Sequence, residues 1–427
     1  MSGILSGPMP STFLRRRLTG PALKARTFMR IAQVAPLYES VPPQLYGGTE
    51  RVVSYLTEEL VRLGHEVTLF ASGDSQTRAK LVAACPRALW RDPDCRETLP
   101  QHVRLMELVF ADVSRFDLIH FHCDYLHLPL LRRCPSPSVT TLHGQLHLPE
   151  LKALFTEYAE VPLVSISDNQ RLPIPDANWQ ATIHHGLPGN LHTLREQSGT
   201  YLAFLGRMSP EKGVDRAIEI ARRAGMKLKI AAKIYGEERA YFHETIEPLL
   251  RQSSAFVEFV GEVGGQRKDE FLGNAAALLF PIDWQEPFGL VMIEALACGT
   301  PVIAWRNGSV PEVIEDGVTG FVVESIAEAA EAVRRSAWLS RRRCRQAFEE
   351  RFDASRMARD YVEVYRRLTS GACGAGESHP PAFRTGHFWG ETVPVSRRSP
   401  TIDLNDARKR RPQGWSNGRQ TPLSGRK

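Results

Sequence analysis

At 427 residues the chain is longer than one ordinary hydrophobic core supports, so two domains are expected, and an apolar fraction of 42% suits globular folding. No window approaches the roughly 18 consecutive apolar residues of a membrane span, which excludes a spanning helix. The net charge of +6 sits at the ends: residues 1–28 hold five basic residues and no acid, and residues 372–427 hold ten Lys/Arg against four Asp/Glu. That leaves −5 on residues 29–371, which argues against a nucleic-acid-binding body.

Residues 1–28 lack the apolar run of a signal peptide and read as a basic, disordered leader, with Met29 directly before the first strand as an alternative start. Apolar residues then alternate with helical periodicity. Strands are expected at 29–35 and 65–71. Between them a helix over 49–63 carries Val52, Val53, Leu56, Leu60 and Leu63 on one face, with Gly64 as its cap. Strands follow at 117–121, 137–142, 161–166 and 180–184. After a polar break at about 193–199 the pattern restarts: strand 200–206, helix 213–224, strand 227–233, helix 240–251, strands 256–260 and 276–281, a helix from Gly289, and strands 300–305 and 318–323. Helices at 325–335 and 339–368 close the sequence of elements. This is an α/β chain of two Rossmann-like, doubly wound parallel-sheet domains, with a ligand cleft expected between the carboxyl ends of the two sheets. From about 370 the chain is rich in Pro, Gly, Ser and Arg and reads as a basic disordered tail. The seven cysteines form no close pair and no metal-ligand spacing, which fits a reducing cytoplasm; Cys298 reads as a small buried hydrophobe.

Three segments carry chemistry. Gly47-Gly48-Thr49 opens the first helix, where adjacent glycines let the backbone approach a ligand and free N–H groups suit an anion; by itself this is also a common turn. Leu205-Gly206-Arg207 through Lys212-Gly213 leaves the first strand of the second half. Gly206 is expected to make a tight turn, and Arg207 and Lys212 offer a guanidinium fork and a point charge to phosphate oxygens. The plain alternative is a basic surface loop. Trp284-Gln285-Glu286-Pro287-Phe288-Gly289-Leu290 runs into a helix that carries Glu294 about 7.5 Å along its axis from the start, so two carboxylates flank an anion-binding helix end. A carboxylate accepts two hydroxyl groups, as a sugar or ribose diol requires.

His143 stands at a strand end and could donate to a sugar hydroxyl or a phosphate, or it could be structural. His120, His122, Cys123, Asp124, His184 and His185 also lie at strand ends. They invite a metal reading, but the spacings fit no common motif, and lining the cleft is the simpler role. Asp92-Pro93-Asp94 follows no hydrophobic strand and is taken as coincidence. A Walker loop, a GxSxG elbow and a GxGxxG fingerprint are absent, which argues against P-loop, esterase and nicotinamide enzymes.

Together, Gly47-Gly48, Gly206-Arg207 with Lys212-Gly213, and Glu286 with Glu294 resemble, over about residues 29–368, the retaining GT-B glycosyltransferases of family four, the glycogen-synthase-like group 1 type. Gly289-Leu290, Gly299-Thr300-Pro301-Val302 and Gly317-Val318-Thr319-Gly320-Phe321 strengthen the resemblance. It implies an N-terminal acceptor domain (29–195), a C-terminal nucleotide-sugar domain (196–350) and a terminal helix (351–369) crossing back. It implies a nucleotide-sugar donor such as UDP-glucose or GDP-mannose, no cofactor and no metal. The acceptor would be a saccharide, a lipid-linked sugar or a small molecule, with at most peripheral membrane contact and no nucleic acid. By position, Arg207, Lys212 and the backbone of Phe288, Gly289 and Leu290 would hold the diphosphate, aided by Gly47 and Gly48. Glu294 would bind ribose, Glu286 and His143 the transferred sugar, and the backbone near Val263 the base. One segment departs: the Gly-rich turn that many members carry after the second strand of this half reads Ile230-Ala231-Ala232-Lys233-Ile234, whose Cβ atoms limit approach to the nucleotide. A nucleotide-sugar epimerase and a non-catalytic sugar-nucleotide-binding protein are the competing functions.

Overall fold

The computed structural model describes residues 28–371 except Tyr46, Pro135 and Tyr235. The expected leader, up to Thr27, and the expected tail, from Ala372 onward, lie outside the described residues.

The N-terminal half is a seven-stranded sheet of β1 (Arg30–Val34), β2 (Glu66–Ser72), β3 (Lys80–Cys85), β4 (Leu118–Phe121), β5 (Ser138–Thr141), β6 (Leu163–Ser165) and β7 (Trp179–Thr182). All neighbours pair in parallel, in the order β3-β2-β1-β4-β5-β6-β7. The C-terminal half holds β8 (Tyr201–Arg207), β9 (Lys227–Lys233), β10 (Val257–Gly261), β11 (Ala275–Phe280), β12 (Val302–Trp305) and β13 (Gly320–Val323). These form a second parallel sheet, β10-β9-β8-β11-β12-β13. Each sheet reverses its winding direction at its first strand, so each opens a crevice at the carboxyl ends of its central strands.

The helix Gly48–Arg62 buries Val52, Val53, Leu56 and Leu60 at 0–1% exposure. Full burial of each such side chain contributes roughly 1.5–3 kcal/mol. Leu63, expected on that face, caps the helix and is exposed. The sequence reading left 72–116 without elements. The structure places there β3, the helix Leu99–Ala111 and two single-turn helices. β3 is an edge strand whose first four residues are exposed or half-buried; its apolar run, residues 81–85, ends in small residues of low strand preference.

The long closing helix expected over 339–368 is two helices, Arg341–Arg351 and Ala354–Gly371. Between them Phe352-Asp353 pairs with Leu187: the Leu187 N–H donates to the Phe352 carbonyl (2.9 Å) and the Ala354 N–H to the Leu187 carbonyl (2.9 Å). The Asp353 carboxylate accepts from the Ser355 N–H (2.8 Å), which caps a new helix start and ends the old one. The chain therefore passes between the halves twice, side by side. Its last helix lies against Gly48–Arg62 in the N-terminal core, burying Met357, Tyr361 and Tyr365 with Ile31, Leu56 and Leu60.

Candidate active site

A cleft of about 450 Å³ lies between the two halves, lined by Gly47, Gly48, His143, Arg207, Lys212, Val263, Glu286, Phe288, Gly289, Leu290 and Glu294; of the strand-end residues expected there, His122, Asp124 and His185 line it and His120, Cys123 and His184 do not. Two helix starts face each other there. Gly47 has φ +148°, and a Cβ on it would fall 2.8 Å from Cβ of Pro43, so the turn before the first helix admits only glycine. Gly48 opens that helix, and a Cβ on it would lie 3.7 Å from Cδ1 of Leu290, the first residue of the helix Leu290–Ala297. Gly289, with φ +80°, turns the chain into this second helix. The first N–H groups of both helices have no intrahelical partner, and both dipole ends are positive.

Gly206 does not make the expected turn. It continues β8, in register with Ala232 of β9, and a Cβ there would meet only the Phe204 ring at 3.8 Å. The turn comes later, through the Pro210–Lys212 helical turn and Gly213 at φ +73°. It directs Lys212 toward Glu286. Their side chains form an ion pair with about an eighth of each exposed, and Trp284 Nε1 donates to the same Glu286 oxygen at 2.7 Å. The Lys212 ammonium also lies 4.5 Å from the Trp284 ring centroid. Arg207 donates to Glu211 (2.9 Å) and Glu238 (3.3 Å), which fixes the guanidinium at the cleft wall. The Glu286 loop is held from behind: the Ser309 N–H donates to the Glu286 carbonyl (3.0 Å) and the Ser309 hydroxyl to the Phe288 carbonyl (2.7 Å). A Cβ on Gly308 would collide with the Glu286 backbone at 2.3 Å.

Glu294 is 4% exposed and accepts from Lys268 at 2.5 Å. Burial alone would push its pKa up, but Lys268 and His192 together hold it below the usual range, so it stays a carboxylate. Lys268 escaped the sequence reading. Its signal is Gly264-Gly265 opening the helix Gly265–Gly273 on the cleft side. Val263 and Glu262 line the cleft just after β10, and Ala232 and Lys233 line it where the Gly-rich turn was missed.

His143 reaches the cleft at the end of a hydrogen-bonded chain. Gln33 donates through Nε2 to the Tyr365 hydroxyl (3.2 Å), so its Oε1 accepts from His122 Nε2 (2.8 Å). His122 Nδ1 is then the acceptor for His143 Nε2–H (2.9 Å). Farther in, His120 bridges Tyr365 (2.7 Å) and Thr141 (2.7 Å), and Thr141 bonds Tyr361 (3.0 Å). Burial pushes the His143 pKa down to about 3 and those of His120 and His122 well below the ordinary value, so these rings are neutral. With Nε2–H engaged, Nδ1 of neutral His143 is an acceptor. This corrects the expectation of a donor: the ring can take a hydroxyl proton's hydrogen bond but offers none to phosphate.

The metal reading of the strand-end histidines finds no shared centre. His120 and His122 are spent in this chain, and His184 bonds Glu312 (3.1 Å). Asp92 and Asp94 do not line the cleft. Among the described residues one group, His192, Asp269 and Cys298, brings ligand-type atoms within 4.8 Å of one another, behind the cleft wall. The six described cysteines are free thiols.

The cleft thus combines two helix starts with cations and carboxylates between two parallel sheets. Residues 193–355 match the family described as Glycosyl transferases group 1, and residues 46–168 match Glycosyltransferase Family 4.

Residues 193–355 form a group 1 glycosyltransferase domain.

An uncharacterized glycosyltransferase of Methanocaldococcus jannaschii is 25% identical over 391 residues, covering 79% of this chain and 98% of that one. Across the first curated relatives the covered share of the relative runs from 46% to 98%. AviGT4, a glycosyltransferase involved in avilamycin A biosynthesis, superimposes with a TM-score of 0.61 at 26% identity over 80% of this chain and 98% of its own. Anabaena HepE, solved in complex with UDP and glucose, gives 0.62 at 19% identity over 80% and 100%. The fold of this glycosyltransferase is GT-B. Among its described residues no helix is long and apolar enough to cross a membrane.

Proposed function

We propose that this glycosyltransferase moves a hexose from a nucleoside-diphosphate donor to an acceptor hydroxyl, with retention at the anomeric carbon, without a metal ion, and in the cytoplasm. The observation that carries the reading is the Lys212–Glu286 ion pair beside the Gly289 helix start: a phosphate-binding cation and a sugar-binding carboxylate are already within one hydrogen bond.

A diphosphate placed on Gly289 and Leu290 N–H groups draws Lys212 and Arg207 onto its oxygens, with the Gly48 helix start opposite. Glu286, released from Lys212, accepts from hydroxyls of the transferred sugar, and His143 Nδ1 accepts another. Glu294, kept ionised by Lys268, takes the ribose diol. The bond from anomeric carbon to phosphate oxygen breaks, and its electron pair stays on the phosphate. The growing charge is met by Lys212, Arg207 and both helix dipoles, which are positioned before reaction and need no reorganisation. The acceptor oxygen attacks from the face the phosphate leaves, and its proton passes to the departing phosphate oxygen.

The test is thermal unfolding with UDP, GDP and ADP, followed by transfer from the matching sugar nucleotide with and without EDTA. A nucleotide at 100 times its Kd stabilises by about 2.7 kcal/mol. Stabilisation by one of the three and EDTA-resistant transfer are expected. No stabilisation by any diphosphate, or activity restored only by added metal, contradicts the proposal.

A further inference from the structure

The two cleft walls differ in chemistry, and the difference bears on the acceptor. The C-terminal wall contributes Arg207, Lys212, Lys233 and Lys268. The N-terminal wall contributes one lining cation, Arg51, and its guanidinium already donates to the Leu45 carbonyl (2.5 Å) and to the Pro43 carbonyl (3.4 Å). Nearby Arg91 is bound to Glu39 (2.7 Å) and Gln44 (3.1 Å). What this wall presents instead is aromatic and acidic. Tyr38 and Trp90 pack with ring centroids 5.1 Å apart, and His102 backs Tyr38 at 4.8 Å. His102 is itself fixed, accepting from the Leu37 N–H (3.1 Å) and bonding the Thr98 carbonyl (3.0 Å). His102 thus holds Tyr38, Tyr38 packs on Trp90, and Trp90 lines the cleft with 57% of its surface exposed. Two acidic side chains border it. Glu50 is buried at the helix start, and Asp124 is exposed at φ +52°, the only non-glycine residue with positive φ among the described ones.

We propose that Tyr38, Trp90 and Asp124 form the acceptor subsite, and that the acceptor is a neutral saccharide whose C–H face lies on Trp90 while its hydroxyls donate to Asp124. A half-exposed indole offers apolar area at little cost in side-chain freedom, and a carboxylate accepts two hydroxyls. The Asp124 carboxylate disfavours a phosphorylated acceptor, and the one described cation lining this wall, Arg51, is turned onto the Leu45 and Pro43 carbonyls. The inference rests on the glycosyltransferase reading of the cleft.

The experiment is saturation-transfer NMR on the full chain with neutral methyl glycosides (glucoside, galactoside, mannoside and maltoside) and with glucose 6-phosphate at equal concentration. Alongside it, donor binding is followed by nucleotide thermal shift. Transfer to glycoside ring protons is expected, at least fivefold weaker in Trp90→Ala, retained in Trp90→Tyr and reduced in Asp124→Ala, with the nucleotide shift unchanged in all three. Trp90 is on the surface, so its truncation leaves the fold intact. Equal or stronger signals from glucose 6-phosphate, no glycoside signal, or signals indifferent to Trp90 would overturn the assignment. So would Trp90-dependent binding to phosphatidylglycerol vesicles in the absence of glycoside binding. Loss of the nucleotide shift in the wild-type chain instead indicts the donor site.

Discussion

Replacing Lys212 by Met separates the catalytic from the structural role of the Lys212–Glu286 pair. Both side chains are only about an eighth exposed, so removing the cation leaves a largely buried carboxylate without its counter-charge. Breaking such a pair costs about 3–5 kcal/mol. Trp284 still donates to Glu286 at 2.7 Å, which brings the expected loss to about 2 kcal/mol. The cation–π contact of about 0.5–1 kcal/mol is lost as well. Adding Glu286→Gln removes the orphaned charge, so Lys212→Met/Glu286→Gln should recover at least half of the lost stability. Activity should behave differently. Losing one preorganised donor to the leaving phosphate costs about 10²–10³ in kcat, and the second substitution removes a sugar ligand besides. Urea unfolding and donor turnover on the wild type, both single variants and the double variant close the cycle. Stability rescued while activity stays at least 100-fold down is the expected result. Near-wild-type turnover in Lys212→Met, or activity that returns with stability in the double variant, would refute the assignment.

Gly48→Val fills the space between the two helix starts, where Leu290 already lies 3.7 Å from the new Cβ; turnover should fall at least 100-fold while the melting temperature moves by only a few degrees, as scanning calorimetry would show. Glu50 is held protonated by burial up to about 7, against an ordinary 4.5, so its contribution to stability is complete below pH 4.5 and lost as pH rises through 7. The difference is about 3 kcal/mol, and Glu50→Gln should gain most of it over the wild type at pH 8 and little at pH 4.5 in urea titrations; a pH-independent gap would contradict it. Tyr365→Phe strips the hydroxyl that joins Gln33 and His120, leaving two buried groups short of a partner at about 1–3 kcal/mol. Because Gln33 also orients His122 and through it His143, kcat should drop more than the nucleotide affinity; equal losses would place the chain outside the reaction.

Much of this site can be read from sequence because its parts are local. Gly47-Gly48 and Gly289-Leu290 each combine a strained turn with a helix start within two residues, and Glu294 follows by helical rise alone. What could not be read depends on distance in the fold. Lys268 meets Glu294 across 26 residues, and Tyr365 reaches His120 across 245. The break at Phe352-Asp353 arises from pairing with Leu187, which no helical periodicity encodes. Gly206 misled because glycine suggests a turn, whereas here the missing side chain keeps β8 open to the cleft. β3 carries an apolar run, residues 81–85, but Ala83, Ala84 and Cys85 give it little of the β-branched and aromatic content that marks a strand.

Isothermal titration of the wild-type chain and Lys212→Met with UDP, GDP and ADP, and with the corresponding monophosphates, is the most direct measurement. A β-phosphate seated between Lys212, Arg207 and the two helix starts predicts that one diphosphate binds at least tenfold more tightly than its monophosphate, and that Lys212→Met erases the difference. Equal affinity for both forms, or a preference that survives the loss of Lys212, would contradict it.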